Sequence, residues 1–462
     1  MFVHIEELLL TQSILIMVIL LIFALAMWRR GLFHWGSAGF WSFAAFTLYY
    51  VLNPLASLYS NMHFYDRSLA LSGGMQRAEW IGFVIIIGII SFFLAYLFTP
   101  MRKVTWGLDK QKDQQLSLPM LAVLGGFMAF AAFSLLRYRT GLLAGGDGVT
   151  TVGGRFVGNT SGYAYTADSF FFFPVIFFLL SASKQRNLMG WVLLLIYVAL
   201  TMTSSWNRFT VVSMLLAGSI VLVMQGGRKW PHPLFGLVIF MGTGVLVLRG
   251  HTTLDSTTEL LGFIQQIPGR IIEIFGSVDS AMLSSFYLES YLRDNITGYL
   301  YGLPLINYLV FGFIPSRLFP QKYFLINWLQ SMQGPLLNNL LIANLYGSKP
   351  SLMGSFYSNG GLVGVILLMV LMGFFLKRID GMVSKDSPLI VRAIGVAWMC
   401  MLWMVWGSHD FWGAMTLGAI AIPGLVLFVI APKAHKPVPT LRELLEQRAA
   451  ALETEKTPSQ IN

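Results

Sequence analysis

The chain has one cysteine in 462 residues, Cys400, inside an apolar run. A single thiol excludes an intramolecular disulfide. With no Cys-x-x-Cys pair and no His-rich tract, there is also no sequence pattern for a structural metal or a redox couple. Charge is scarce as well. Charged residues make up 11% of the chain, against about a quarter in soluble domains, and no stretch reads as a separate water-soluble domain. Acidic residues are the scarcer sign, 21 against 31 basic, giving a net charge of +10. That balance comes without a nucleic-acid motif, so nucleic acid is not an expected partner. Internal repeats and low-complexity tracts are absent too, which excludes a solenoid or a disordered array.

What the chain has in abundance is apolar sequence, at 56% of residues. Runs near the roughly 20 residues needed to cross a bilayer recur along its length. Eleven spans are expected, at about 8–27, 37–56, 80–99, 119–137, 168–183, 189–204, 209–225, 233–248, 358–376, 388–406 and 412–431. The expected fold class is therefore all-α, a polytopic helical membrane bundle. Glu6 and Glu7 precede the first span and Arg29-Arg30 follow it, the reverse of a cleaved signal peptide. The first span is expected to remain as an anchor with its N-terminus outside.

Charge fixes the expected orientation. The segments assigned to the inside carry eight Arg and ten Lys, whereas the longer outer segments carry ten Arg and only two Lys. Short loops follow the positive-inside rule, placing the N-terminus outside and the C-terminus in the cytoplasm. Lysine is a compact point charge, and arginine a rigid fork that matches phosphate or carboxylate bidentately. An outer face enriched in arginine alone points to an anionic ligand there.

Four regions follow from this reading. Residues 1–248 form an N-terminal bundle of eight spans, interrupted by the Gly-rich outer loop 138–167. Residues 249–357 form a large outer loop, too long for an ordinary connection. Its apolar stretches at 281–292, 298–314 and 323–345 predict amphipathic or re-entrant helices at the membrane surface. Residues 358–431 add three spans. In the cytoplasmic tail 432–462, the capping-box pair Thr440 and Glu443, with Leu441, Leu444, Leu445 and Leu452 on one face, predicts a short amphipathic helix.

Several residues carry candidate chemistry. Arg208 follows TMTSSWN in a tight outer turn and opens a span. A charge at that depth is costly unless paired or facing water, and Ser204, Ser205 and Asn207 would line a polar pocket beside it. The plain alternative is an arginine snorkelling at a helix end. Arg155 lies in GGRFVGNTSG, where flanking glycines let backbone N–H groups approach an anion; an incidental loop arginine is the competing reading. Arg137 and Arg139 read as interfacial anchors. Arg249, Arg270, Arg293 and Arg317 are spread through the long loop, each with the alternative of a surface ion pair to Asp255, Glu273, Glu289 or Asp294. Arg317, between two prolines in FGFIPSRLFPQK with Lys322 close by, is the strongest of them. Asp168, Asp279 and His409 are the candidate bases, with Glu273 as a further carboxylate. His409-Asp410 also reads as a plain polar turn. Arg392 lies within the tenth span and is expected to face a polar groove or the cytoplasmic surface.

The order of these features resembles a known family. A Gly-rich middle outer loop is followed by SSWNRFTVV, then by a late long outer loop containing IPSRLFPQK and SKPSLMGSFYSNGGLVGVILLMVLMGFFLKR. In this the chain is similar to the Wzy-type oligosaccharide repeat-unit polymerases of O-antigen, capsule and common-antigen synthesis, and the similarity in architecture covers nearly the whole chain. The resemblance implies a GT-C-like membrane fold and transfer of a growing glycan from undecaprenyl diphosphate onto a new lipid-linked repeat unit. It also implies a diphosphate- or glycan-holding role for Arg155, Arg208 and Arg317, which Arg270, Arg293 and Lys322 would assist. Implied partners are the lipid-linked donor and acceptor, membrane lipid, a chain-length regulator and a flippase. A lipid diphosphate is already an activated leaving group, so no cofactor is expected and transfer should be metal-independent. Three rivals remain in view: an O-antigen ligase with the same donor, a lipid-linked sugar flippase, and a non-enzymatic component of an assembly complex. Against transport, no paired halves or broken midplane helices are visible in the sequence.

Overall fold

The computed structural model describes residues 2–60, 74–100, 106–107, 117–134, 150–152, 155–157, 170–202, 208–231, 280–301, 351–407 and 410–430. These residues form twelve α-helices and two π-helical turns. They are α1 (Phe2–Arg29), α2 (Ala38–Thr47), α3 (Asn53–Ser60), α4 (Met75–Phe98), α5 (Leu118–Ser134), α6 (Phe172–Leu179), α7 (Lys184–Met202), α8 (Arg208–Gln225), α9 (Ser280–Leu292), α10 (Leu352–Met382), α11 (Leu389–Gly407) and α12 (Asp410–Ile430). One exception to the all-helical expectation lies in the Gly-rich segment, where Thr150–Val152 pairs antiparallel with Arg155–Val157.

Among the described residues, three helices are long and apolar enough to cross a membrane: Glu6–Arg29, Met75–Phe98 and Leu352–Met382. Shorter apolar helices occupy Leu118–Phe133, Val212–Gln225, Leu389–Leu402 and Ile420–Ile430. Large apolar side chains stand exposed on the outside of the bundle, with Leu10, Ile14, Val18, Leu21 and Leu25 along α1 and Val363, Leu367, Leu371 and Phe374 along α10. Their three- and four-residue spacing makes one stripe per helix. In water such a surface would be a liability; in hydrocarbon it is the expected contact.

Two of the expected spans differ from expectation. The second is not one straight helix, because Leu48–Leu52 forms a π-turn between α2 and α3. Pro54 lacks an N–H and its ring crowds the carbonyl four residues back, and a widened turn accommodates both. The fifth is only the eight residues of α6, roughly 12 Å of helix, with every side chain buried. Its apolarity matches its burial among other helices. The outer-loop helix expected at 281–292 is α9. Leu283, Phe286, Tyr287, Leu288 and Leu292 are buried, and the helix packs against α3, α4 and α10. The eighth span at 233–248 and the tail helix lie outside the described residues.

Side-chain contacts fix the relative directions. Near the start of α1, Gln12 donates to the Ala78 carbonyl of α4 at 3.0 Å; further along Phe23 stacks on Phe93, and Arg30 donates to the Leu97 carbonyl at 2.5 Å at the far end. Likewise Trp80 of α4 donates to the Tyr357 hydroxyl of α10 at 3.0 Å near both starts, and Tyr96 donates to Asp380 near both ends. Helices α1, α4 and α10 therefore run parallel, while α2 starts at Asp380 and ends where Tyr50 donates to Ser351 at 2.7 Å. Spans one, three and nine point one way and span two the other, as the parity of the sequence reading requires. Lys184, Lys229, Lys377 and Lys385, the lysines among the described residues, belong to the end containing the start of α2.

At that lysine-rich end the first N–H groups of α2 meet side chains from three elements. Asp380, 3% exposed, accepts from Ala38 N–H at 2.7 Å and from the Tyr96 hydroxyl. The Tyr96 oxygen accepts from Gly39 N–H at 3.2 Å, and Ser37 accepts from Phe40 N–H at 3.1 Å. Lys377 Nζ stands 3.9 Å from the same carboxylate. These are the donors a helix start leaves orphaned, satisfied here by residues that also fasten α4 to α10. Between the two ends, Phe46, Phe92 and Trp406 interlock, with Phe46–Trp406 centroids 4.6 Å apart.

Two predictions follow from this packing. A Cβ on Gly373 would lie 2.6 Å from the Phe92 carbonyl oxygen of α4, whereas one on Gly125 meets nothing within 4 Å. Gly373→Ala should cost about 1–3 kcal/mol through forced separation of the two backbones, and Gly125→Ala should be neutral or stabilising by up to about 1 kcal/mol; thermal unfolding in detergent reads both. In the loop before α2, burial, and then Lys229 and Lys377, lower the His34 imidazole to about 4 from 6.5. The unfolded chain then binds more protons than the folded one between those values, so stability is present above pH 6.5 and falls as pH drops toward 4. His34→Asn should flatten that acid loss in unfolding scans taken across pH 4–7.

Candidate functional site

At the other end of the bundle, α10 is broken. Gly360 is extended (φ −173°, ψ 29°) and Gly361 takes a left-handed conformation (φ 59°, ψ −147°) that favours glycine. A Cβ on Gly361 would also lie 2.7 Å from the Tyr299 hydroxyl oxygen. The break removes the helical donors that would reach the carbonyls just before it. The Ser358 carbonyl instead accepts from Leu300 N–H at 2.8 Å and the Asn359 carbonyl from Tyr301 N–H at 3.0 Å. Ser358 and Asn359 are buried, where backbone groups left without partners are costly, so the break and the segment 300–301 stabilise each other.

That docking carries the π-turn Arg293–Thr297 over the starts of α4 and α10, where a polar cluster forms. Asp294 is its centre. Its carboxylate accepts from the Tyr299 hydroxyl at 2.6 Å, from the Tyr357 hydroxyl at 2.7 Å and from the Arg77 guanidinium, with which it forms an ion pair. Trp80 donates to Tyr357, and Arg77 also lies over the Tyr291 ring, 5.7 Å from its centroid. The side chains of Arg77 and Asp294 remain 15% and 21% exposed, so the cluster opens to its surroundings. Burial and the neighbouring Asp294 carboxylate push the Tyr299 hydroxyl up to about 12, which keeps it a donor. Beside it, Trp80 and Phe83 present exposed stacked faces, and Tyr301, at φ 50°, is 74% exposed. A carboxylate, a guanidinium and phenols beside flat aromatic faces suit a polyhydroxylated ligand that also carries negative charge.

One layer deeper lies a second pair. Glu289 accepts from Arg293 Nε at 2.9 Å, lies 2.8 Å from its Nη2, and accepts from the Ser358 hydroxyl at 3.0 Å. Both partners are buried, Glu289 at 7% and Arg293 at 6%. Arg293, expected as an anion-binding cation of the outer loop, thus has its guanidinium on Glu289. The ion-pair alternative describes it, but as an interior pair rather than a surface one.

The other expected site residues are less directly placed. Arg208 is the first residue of α8 and Arg155 the first of the second strand. Arg270, Arg317, Lys322, Asp168, Asp279 and His409 lie outside the described residues. Arg392 does reach a polar surround, donating to the carbonyls of Ser384, Lys385 and Ser387. Among the described residues no group of three or more His, Cys, Asp or Glu could hold a metal.

Sequence reasoning missed Arg77, Tyr299 and Tyr357, and treated Asp294 only as an ion-pair partner. One signal was present. Arg77 occupies the first turn of a span at the arginine-rich end, the setting that singled out Arg208. The glycine pair in FYSNGG, read as an approach to a span, marks a break inside a longer helix. Compared with family models, curated proteins and solved structures, the chain matches none.

Removing one partner of a buried ion pair leaves an uncompensated charge, at a cost of about 3–5 kcal/mol. Glu289→Gln should therefore lower thermal stability in detergent markedly. The double substitution Glu289→Leu with Arg293→Met should recover most of that loss. Equal loss in the single and double variants would show that packing rather than charge sets the effect.

Proposed function

We propose that this protein is a Wzy-type polymerase that joins undecaprenyl-diphosphate-linked oligosaccharide repeat units at the periplasmic face of a bacterial inner membrane. The observation that carries this reading is the polar and aromatic cluster of Arg77, Asp294, Tyr299 and Tyr357 at the end of the bundle that the charge asymmetry assigns to the outside. The arginine-rich outer segments and the IPSRLFPQK-containing loop support it further. In this reading, arginines hold the lipid diphosphate and stabilise the charge that develops as the glycosyl bond breaks. Arg208, Arg155 and Arg317 serve that role in this proposal, and Arg270 and Lys322 are further candidates for it. Aromatic faces hold the sugars. A GT-C-like arrangement of about eleven spans is part of the same proposal.

A transporter is the second reading, because α10 is a broken helix and such breaks line transport sites. Its position favours the polymerase. From Gly361 to Met382 the helix is roughly 33 Å long by the 1.5 Å rise, enough to cross the hydrocarbon without the part before the break. The discontinuity thus falls near one surface rather than at the midplane, where alternating access needs it. A ligase would share the donor chemistry and differ in its acceptor.

Surface polysaccharide from a deletion strain tests the reading. Single repeat units in place of long chains identify a polymerase, whereas loss of all capped units identifies a ligase or flippase. In the complemented strain, Arg208→Ala should abolish long chains at normal protein level. Arg208→Lys should restore them only weakly, since it keeps the charge and loses the fork. Normal chain length in the Ala variant removes Arg208 from the mechanism.

A further inference from the structure

We infer that Asp294 is the catalytic base of the transfer, the carboxylate that receives the proton of the acceptor hydroxyl. The inference rests on the polymerase reading. The step balances without a co-reactant. The acceptor oxygen forms a bond to the anomeric carbon of the donor glycan while the bond from that carbon to the diphosphate oxygen breaks. The diphosphate leaves with the electron pair, and the acceptor's proton passes to Asp294.

Three features single this residue out. A carboxylate has about four acceptor positions. At Asp294, Oδ2 is taken by Arg77 and Tyr357, while Tyr299 binds Oδ1, leaving Oδ1 with capacity for one more donor. With 21% of its side chain exposed, Asp294 can be reached by a substrate. Its orientation is held on two sides by groups from separate elements, Arg77 on α4 and Tyr357 on α10, with Tyr299 on the docked segment between them. Such fixing is what a general base requires before its proton affinity matters. The neighbouring carboxylate does not qualify: Glu289 is buried and engaged by Arg293 and Ser358. Asp380 stands at the opposite end, capping α2.

The cluster supplies the remaining parts. Trp80 and Tyr301 offer exposed ring faces on either side of the Tyr357–Asp294–Tyr299 chain, where an acceptor sugar can lie with a hydroxyl toward Oδ1. Arg77 is a positioning residue, fixing Oδ2 and leaving Oδ1 the oxygen with fewer partners. A lipid diphosphate arriving at the arginine-rich surface comes to the same end of the bundle as this carboxylate.

The test uses the full-length protein in proteoliposomes with a synthetic lipid-diphosphate repeat unit. Removing a general base costs about 10²–10⁴-fold in rate, so Asp294→Asn should lower kcat by that factor with KM for the donor unchanged. The charge-swapped pair Asp294→Arg with Arg77→Asp separates base from clamp. It should restore thermal stability relative to Arg77→Ala, because an ion pair again joins the π-turn to α4, yet it should form no polymer. Polymerisation by the swapped protein, or by the Asn variant within threefold of wild type, overturns the assignment. The swap decides the matter even if the Asn variant fails to fold. Absence of polymer with the wild-type protein overturns the polymerase reading itself, and with it the role of Asp294.

Discussion

The rest of the structure depends on the parallel pairing of α4 with α10. Their backbones meet where Gly373 faces the Phe92 carbonyl, with no room for a side chain between them. In a membrane the lipid tails are as apolar as the helices, so close van der Waals approach and polar contacts must drive association. This pair uses both. Small residues bring the helices together along their length, and each end is closed by a carboxylate, Asp380 at one and Asp294 at the other. The two carboxylates do different work because their surroundings differ. Asp380 is buried and accepts from a helix start, whereas Asp294 is partly exposed and is held by side chains alone.

The same constraint explains the shape of the functional end. Buried backbone groups need partners, so a buried helix can break only where something else supplies them. Residues 300–301 supply two N–H donors to α10, and the turn that delivers them also delivers Asp294. Backbone satisfaction and site assembly are therefore one event. Losing the left-handed geometry at Gly361 would displace Tyr299, and Tyr299 is a direct donor to the central carboxylate.

Much of this was legible in the sequence, for reasons that differ by element. Long uninterrupted apolar runs such as 8–27 and 80–99 announce α1 and α4, because a span must be apolar all along its length. The run at 168–183 misleads for the same reason: a short helix surrounded by other helices is as apolar as one surrounded by lipid. The stretch at 281–292 has an apolar face that predicts burial, but the burying surface belongs to α3, α4 and α10, far away in sequence. The site divides similarly. Arginines at span ends can be picked out singly, as Arg208 was. The assembly of Arg77 with Asp294, 217 positions apart, depends on a helix break whose only local mark is a glycine pair.

That break also bears on why a site at this place could handle a long polymer. A catalytic group set between rigid midplane helices would have to admit the chain through the bundle. Asp294 instead stands on a docked turn at the bundle's rim, next to exposed rings and beyond the stretch of α10 that crosses the hydrocarbon. On the proposed reading, a glycan of any length would approach from the side with only its terminal sugar engaged, while a lipid-linked partner would stay in the bilayer along the exposed apolar faces of α1 and α10. On the polymerase reading, the arginine excess of the outer segments would act on the diphosphate, which is common to every cycle, and the aromatic faces on the terminal sugar alone. Such a division would let affinity for the lipid carrier remain constant while the product lengthens, because no contact in the cluster would depend on how much glycan lies beyond the first residue.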